Sequence, residues 1–333
     1  MDVVQHLRVG YSINYTKTAM PSGSMGRNHK GATDFKYFVD DWLSMEIKLG
    51  RIRGPFASPP LKDFITSPLN SVAKSDPGDR RVIVDLSWPV GRGVNAGIDI
   101  DLISGESMKL EFPAVDDIIA LIRMHGKGAL LYKRDLRSAY RQFPVKQSDH
   151  HFLGYYWNGN YYYDTVLLMG QRSAAWACQR STRAVAFIHR HQDGGSLVVY
   201  LDDFIGVGQP VDAWRGFTRL KDLLSDLGLD ENIPKACAPS AVQTCLGVLF
   251  NTIDMTISIT PDRLLEIRNI IDRWLRKRTA NRRELQSIIG KLMFVSKCVR
   301  QSRVFMNRLL VALRSSSESR FPLSSDFRKD LVW

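Results

Sequence analysis

The sequence predicts an α+β fold built on a split β-α-β, ferredoxin-like antiparallel sheet with helices on one face. Three observations carry that prediction. The middle of the chain alternates strand, helix, hairpin, helix, strand. An apolar hairpin, SLVVYLDDFIGVG at 196–208, puts two adjacent acids at its tip. The last third is helical in its apolar spacing and strongly basic.

Composition sets the bounds. With 333 residues, 44% hydrophobic and 24% charged, the chain is large enough to bury a core and to divide into two or three subdomains. The formal charge of +12 points to a polyanionic partner. It is unevenly spread: 263–320 holds 15 Lys/Arg against 4 Asp/Glu, nearly the whole excess. Cys178, Cys237, Cys245 and Cys298 show neither a C-x-x-C pair nor metal-ligand spacing, which predicts core thiols in a reducing compartment and argues against zinc. His150-His151 and His189-x-His191 lack cysteines or acids at ligand spacing and read as surface residues. No apolar run reaches the roughly 18 residues of a membrane span, and MDVVQHLRVG has no signal-peptide core. A soluble intracellular protein, cytoplasmic or nuclear and without a membrane partner, is expected.

Taken in order, residues 1–44 show scattered Gly, Ser, Asn and Lys with little periodicity and are expected to form a loosely ordered leader. GRIRGPFASPP at 50–60 is rich in turn formers, and LKDFI follows as a short helical or extended piece. A loop, SPLNSVAKSDPGD, leads through a Pro-Gly turn into the β-branched strand RVIVDL, read together as an exposed hairpin. WPVGRGVNAGIDID is a Gly-rich connector. In FPAVDDIIALIRM, Val115, Ile118, Ile119 and Ile122 recur at helical spacing between Pro113 and Gly126. ALLYKRD is a strand ended by Asp135, and SAYRQFPV a single helical turn. HFLGYYWNG and NYYYDTVLL alternate aromatics across an Asn-Gly turn, a hairpin signal. A long helix runs from Ser173, its N-cap, to about Arg190, and VDAWRGFTRLKDLLSDLG is an amphipathic helix closed by Gly228. CLGVLFN and MTISI pair as strands. Three helices follow: Pro261 to Lys277 with Leu264, Ile267, Ile271 and Trp274 inward, Asn281 to Lys297 opened by an Asn281-x-x-Glu284 capping box, and Ser302 to Leu313.

Two adjacent acids are poor hairpin chemistry, since the favoured two-residue turns use Asn-Gly, Asp-Gly or Gly-X. Their repulsion calls for a counter-charge. On the predicted sheet, Asp135 at the end of one central strand reaches the same edge as Asp202 and Asp203 on the neighbouring hairpin. Three such carboxylates are the right set for two divalent ions about 3.5–4 Å apart, Mg²⁺ or Mn²⁺, and the reaction class is nucleotidyl transfer. The plainer alternative makes Asp135 a strand-end acid paired with Arg134 or Arg137.

With these residues in place the chain resembles a reverse transcriptase over residues 50 to 315. YLDD at Tyr200–Asp203 resembles the polymerase signature, and KRDLRSAYRQF the first catalytic motif, with Asp135 as metal ligand. The resemblance implies a right-hand polymerase: fingers at 45–115, a ferredoxin-like palm with an antiparallel central sheet and an inserted fingers segment at 116–258, and a helical thumb at 259–315. The tail at 316–333 leads toward a ribonuclease H domain that this sequence does not supply, nor does it supply the recombinase of a parent element. Tyr140 stands where an aromatic ring excludes the 2′-hydroxyl, which implies DNA synthesis. Lys74 and Arg81 resemble the pair that grips the triphosphate, with Arg80 sharing that role, and cations on a hairpin suit a polyanion. Met169 and Gly170 precede the helix that supports the template and incoming base. Lys235 resembles the lysine that protonates pyrophosphate, though a solvated loop lysine is as good a reading. Leu246-Gly247 resembles the primer grip. Implied partners are an RNA or DNA template with its primer, and deoxynucleoside triphosphates. The resemblance is greatest to DIRS-like, tyrosine-recombinase retrotransposons, through RVIVDLSWPVGRGVN, HFLGYYWNGNYYYD and ELQSIIGKLMFVSKCV. Leu168-Met169-Gly170 replaces the usual Pro-Phe-Gly, and Ala175 a common proline.

Two rivals stay open. An RNA-dependent RNA polymerase would share the palm and its acids, but Tyr140 argues against it. An inactive or repurposed fragment would only bind nucleic acid through the basic helices. There Arg268, Arg273, Arg276, Lys277, Arg282, Arg283, Lys291 and Lys297 are expected to lie mostly outside. Arg282-Arg283 sit in a helix first turn that normally favours acids, so a phosphate backbone is the better explanation for them than helix stability.

Overall fold

The computed structural model describes residues 3–17, 23–24, 26–74, 78–103, 106–315 and 320–332. Pro77 of the expected Pro-Gly turn and residues 316–319 of the expected tail lie outside them. The chain divides into two compact units. Met1–Phe112, Arg134–Phe204 and Gly216–Ala236 form the first, and Pro113–Lys133, Ile205–Arg215 and Cys237–Trp333 the second.

In the first unit the expected loose leader is corrected: its described residues are ordered. Helices span Val3–Val9, Lys30–Asp34 and Lys36–Lys48, and Tyr11 and Ile13 are fully buried. No periodicity betrayed this because the chain at 10–16 is extended and pinned by main-chain bonds. Tyr11 N–H donates to the Pro144 carbonyl at 2.8 Å, and Lys146 N–H to the Tyr11 carbonyl at 2.9 Å. A Cβ on Gly10 would stand 2.4 Å from the backbone of Val145 and Lys146. The Tyr11 hydroxyl meets Ser181 Oγ at 2.7 Å on the long helix Ala174–His191.

That helix is predicted, but its Ser173 cap is not made. The Ser173 hydroxyl donates instead to the Ile13 carbonyl at 3.0 Å, and Ser173 itself has near-helical backbone angles. His189, expected at the surface, is buried on the same helix, its Nε2 3.0 Å from the Gly216 carbonyl. The aromatic hairpin is as expected: Gly154–Trp157 pairs with Asn160–Asp164, and Asn158-Gly159 both take positive φ, the geometry of a two-residue turn. Ile52–Phe56 adds a third strand to it. Residues 69–73, expected as loop, are a strand paired with Arg80–Val84. LKDFI is irregular.

Four strands bond in the order Cys237–Ser240, Leu130–Asp135, Asp203–Gly208, Ser196–Tyr200. The acid-bearing ends of the middle two belong to the first unit. The hairpin turn is Leu201-Asp202, not Asp202-Asp203, because Asp203 already begins its strand. Leu201 takes a φ of +53°, uncommon for a residue with a Cβ.

In the second unit, Val115–His125 buries Val115, Ile118 and Ile122. A Cβ on Gly206 would stand 1.9 Å from Cζ of the Tyr132 ring, so glycine lets that ring lie across the neighbouring strand. Val242–Cys245, Val248–Asn251 and Thr256–Ile259 form an antiparallel meander. Helices Pro261–Arg276, Arg282–Val295 and Met306–Ser315 follow. The inward stripe of the first of these is Ile267, Ile270 and Trp274, while Leu264 is exposed. The Asn281–Glu284 capping box forms, with both bonds at 2.9 Å. The third helix is entered through a 3-10 turn at Arg300–Val304. The described part of the expected tail contains a fourth helix, Ser325–Val332, whose Phe327 and Leu331 join Trp274, Leu285, Ile288 and Leu309 in one core. No helix among the described residues is long and apolar enough to cross a membrane.

Candidate active site

The first unit brings Asp135 and Asp202 together. Leu131 and Tyr132 anchor the Leu130–Asp135 strand in the interior, and Asp135 at its end is 7% exposed. Leu136 N–H donates to the Asp202 carbonyl at 3.1 Å, which ties the hairpin turn to that strand end. Burial, and then the charge of Asp135, raise the Asp202 carboxyl above its ordinary value, while Lys235 pulls it back. This is the behaviour of two carboxylates sharing one site.

Asp135 pairs with neither arginine proposed for it in the plainer alternative. Its Oδ2 lies 3.2 Å from Lys235 Nζ and accepts from Asn232 Nδ2 at 3.2 Å. Arg134 points elsewhere. Its guanidinium stacks 3.8 Å over the Phe217 ring, donates to the Phe217 carbonyl at 2.8 Å, and meets Glu231 at 2.5 Å. That buried pair, with Asn232 N–H on the Asp135 carbonyl at 2.7 Å, fastens the loop of Asn232 and Lys235 against the acids. Among the described residues no three His, Cys, Asp or Glu side chains form a metal-binding group. The structure therefore supplies a carboxylate pair countered by a lysine, with Asp203 next along the strand.

Tyr140 stands on a 3-10 turn, Ala139–Gln142, entered through Ser138 at a φ of +50°. Burial pushes its hydroxyl up to about 12, with Cys178, Asp202 and Tyr200 adding to the rise. The Cys178 thiol is likewise raised by burial to about 12, with Asp202 as the second cause. Tyr140 and Cys178 thus both feel the Asp202 charge. Arg141, next to Tyr140, is locked by Asp164 and by Glu46, the latter at 2.8 Å.

Sequence reasoning missed Gln179, Asn232 and Asn95. Gln179 accepts from Leu201 N–H at 2.6 Å and donates to the Val199 carbonyl at 2.9 Å. Asn95 donates to the Gly170 carbonyl at 2.8 Å and accepts from Arg172 N–H at 3.0 Å, which fixes the loop before the long helix. Their partners lie far away in sequence. The one local hint is a glutamine among apolar residues on a helix face.

On the 69–84 hairpin the three cations differ. Alternate strand residues face opposite sides, so Arg80 and Arg81 diverge. Arg80 stacks 3.5 Å over Phe35 and bonds Ser71 at 2.9 and 2.8 Å, so it is committed to holding the hairpin. Arg81 Nη1 reaches Met169 Sδ at 3.2 Å, beside Gly170 at a φ of +90°. Lys74 pairs with Asp79 at 2.7 Å near the hairpin tip. The structure therefore joins Arg81 with Met169 and gives Arg80 a structural contact.

In the second unit Leu246-Gly247 is a two-residue turn with both φ positive, and a Cβ on Gly247 would stand 2.9 Å from the Phe294 ring. Arg282 and Arg283 are exposed in the first turn of their helix. Several cations expected to lie outside are engaged, among them Lys291 with Glu266 at 2.6 Å, Lys277 with Glu284 at 2.7 Å, and Lys297 over Phe294 at 5.2 Å.

No protein-family model matches the sequence, and neither does any curated protein. Solved structures do. The chain is similar to a foamy viral protease-reverse transcriptase dRH in complex with double-stranded DNA, at TM-score 0.69 and 17% identity, covering 98% of this chain and 51% of that one. It is similar to the foamy viral enzyme with an RNA/DNA hybrid at TM-score 0.69 and 17% identity, over 98% of this chain and 39% of that one. For the same enzyme with double-stranded DNA the values are 0.68 and 17%, over 97% and 60%. At such identity the likeness establishes a reverse-transcriptase-like fold, and the chain spans between 39% and 60% of those proteins.

Proposed function

We propose that this chain is an RNA-directed DNA polymerase of a retrotransposon, most similar in its motifs to DIRS-like elements, that adds deoxynucleotides to a primer 3′-hydroxyl. One observation carries the proposal: the Leu201-Asp202 turn is tied to the end of the strand that carries Asp135, with Lys235 Nζ 3.2 Å from Asp135 and the Asp202 charge felt at Tyr140. Two hard oxygen donors at one site, where burial and the charge of Asp135 raise the Asp202 carboxyl, fit a divalent cation. Asp135 and Asp202, with Asp203 next in the chain, would hold two Mg²⁺ or Mn²⁺ ions, which supply an acidified attacking hydroxyl and charge neutralisation on the departing pyrophosphate.

The remaining roles belong to the chain's own side chains. Tyr140 walls off the 2′ position of the incoming sugar. Lys74 and Arg81 bind the triphosphate, while Arg80 stiffens their hairpin. Met169 and Gly170 form the floor under the nucleotide, and Lys235 holds a proton at Nζ for the leaving pyrophosphate. The Leu246-Gly247 turn and Arg282-Arg283 hold the template-primer, RNA or DNA, and the foamy viral enzyme's complexes with double-stranded DNA and an RNA/DNA hybrid support that class of partner. The proposed layout keeps fingers at 45–115, palm at 116–258 and thumb at 259–315. Helix Ser325–Val332 joins the thumb because its Phe327 and Leu331 pack into the same core.

Primer extension on an RNA template with Mg²⁺ or Mn²⁺ tests this. Deoxynucleotide extension is expected. Preference for ribonucleotides would make the chain an RNA polymerase, and duplex binding without extension would leave a nucleic-acid-binding fragment.

A further inference from the structure

We infer that Gln179 is a positioning residue: its buried amide holds the Leu201-Asp202 turn in the conformation that sets the Asp202 carboxylate beside Asp135. The inference rests on the polymerase reading above, because only there does the placement of Asp202 govern a rate.

Gln179 projects from the long helix and is 3% exposed. Its Oε1 accepts the Leu201 N–H at 2.6 Å, and its Nε2 donates to the Val199 carbonyl at 2.9 Å. One side chain thus spans the corner where the strand Ser196–Tyr200 ends and the turn begins. The amide orientation is fixed by its partners, since a main-chain N–H only donates and a carbonyl only accepts. No apolar side chain of that length can serve both, and a carboxylate can serve only one. The corner needs holding. Leu201 sits at a φ of +53°, a conformation that residues with a Cβ adopt seldom. Its neighbour Asp202 is tied on the other side through its carbonyl, which accepts from Leu136 N–H at 3.1 Å. The turn is therefore gripped twice, by the strand that carries Asp135 and by the helix that carries Gln179. Gln179 touches none of the reacting groups and acts only through this turn.

The test compares the wild-type chain with Gln179→Met, which keeps length and apolar volume and removes both hydrogen bonds. Thermal unfolding, hydrogen exchange of residues 199–204 and steady-state primer extension are measured on both. A reacting group displaced by about 1 Å loses up to about a hundredfold in rate. The expected result is a kcat lowered tenfold or more, with KM for the deoxynucleotide and primer-template affinity within about twofold of wild type. Exchange should rise at residues 199–204 and not along the helix. An unchanged kcat, or a fall in kcat matched by equal losses of duplex affinity and of protection throughout the helix, overturns the inference. If Gln179→Met is not recovered folded, Gln179→Glu keeps the acceptor for Leu201 and is judged by the same outcomes. An inactive wild-type chain sinks the polymerase reading instead, and the exchange measurement then decides whether Gln179 holds the turn.

Discussion

Asp164→Asn probes the ion network that anchors the Tyr140 turn, and its signature is a pH dependence. Asp164 is fully buried at the end of the strand Asn160–Asp164 and faces Arg141, which also receives Glu46 at 2.8 Å. Burial pushes the Asp164 carboxyl from 3.8 up to about 6, against the pull of Arg141. Between those two values the folded chain keeps a proton that the unfolded chain has released. The contribution of Asp164 to stability is therefore fully present below about 3.8 and is lost as the pH rises through about 6. A shift of about two units corresponds to about 3 kcal/mol. Asparagine cannot titrate, so the stability of wild type minus that of Asp164→Asn should shrink by about 3 kcal/mol between pH 3 and pH 8. Urea unfolding followed by tryptophan fluorescence across that range measures the difference. A gap that stays constant, or widens as the pH rises, would refute the reasoning, since it would mean that the arginine outweighs the loss of solvation.

The other expectations concern the proposed chemistry. Asp135→Asn or Asp202→Asn should each lower primer extension by more than about a hundredfold, with no loss of thermal stability for Asp202→Asn because it relieves like-charge crowding; near-normal extension would end the assignment. Tyr140→Ala should raise ribonucleotide incorporation relative to deoxyribonucleotide, and unaltered discrimination by the purified variant would remove the tyrosine from its role as sugar gate. Changing Arg282 and Arg283 together to Gln should weaken duplex binding regardless of sequence and flatten its salt dependence by roughly one to two units. Unchanged affinity and slope would leave both as surface residues.

Much of the architecture was legible wherever burial imposes a local period. Val115, Ile118 and Ile122 mark their helix, the Asn158-Gly159 turn marks the aromatic hairpin, and Asn281 with Glu284 marks a helix start that forms as expected. The losses fall where order comes from distant main-chain pairing. The chain around Tyr11 and Ile13 has no period because its backbone bonds are made to residues 97 and 144–146. The strand Leu69–Ala73 reads as loop because only its pairing with Arg80–Val84 makes it a strand. Ser173 has every local mark of a cap, yet its hydroxyl is taken by the Ile13 carbonyl, a partner 160 residues away that no window on the sequence contains.

At the site the same division has a physical cause. Two adjacent acids on an oily hairpin are unfavourable unless something needs them, so Asp202 stands out from sequence alone, and a strand-end Asp135 stands out with it. Lys235, by contrast, is a solvated loop lysine in every local respect, and only the fold shows its Nζ 3.2 Å from Asp135. Arg80 and Arg81 are adjacent in sequence and equal in charge, but the strand's alternation sends one to Phe35 and the other to Met169. Lys291 is one basic residue among several on its helices, and only the fold pairs its Nζ with Glu266, 25 residues earlier, at 2.6 Å. Gln179 and Asn232 carry no charge, and an exposed amide is nearly neutral for stability, so a sequence gives no reason to single them out. In the fold, each bonds a group 20 or more residues away. A charge is conspicuous because it is hard to place, whereas an amide that places it gains its meaning only from the backbone it holds.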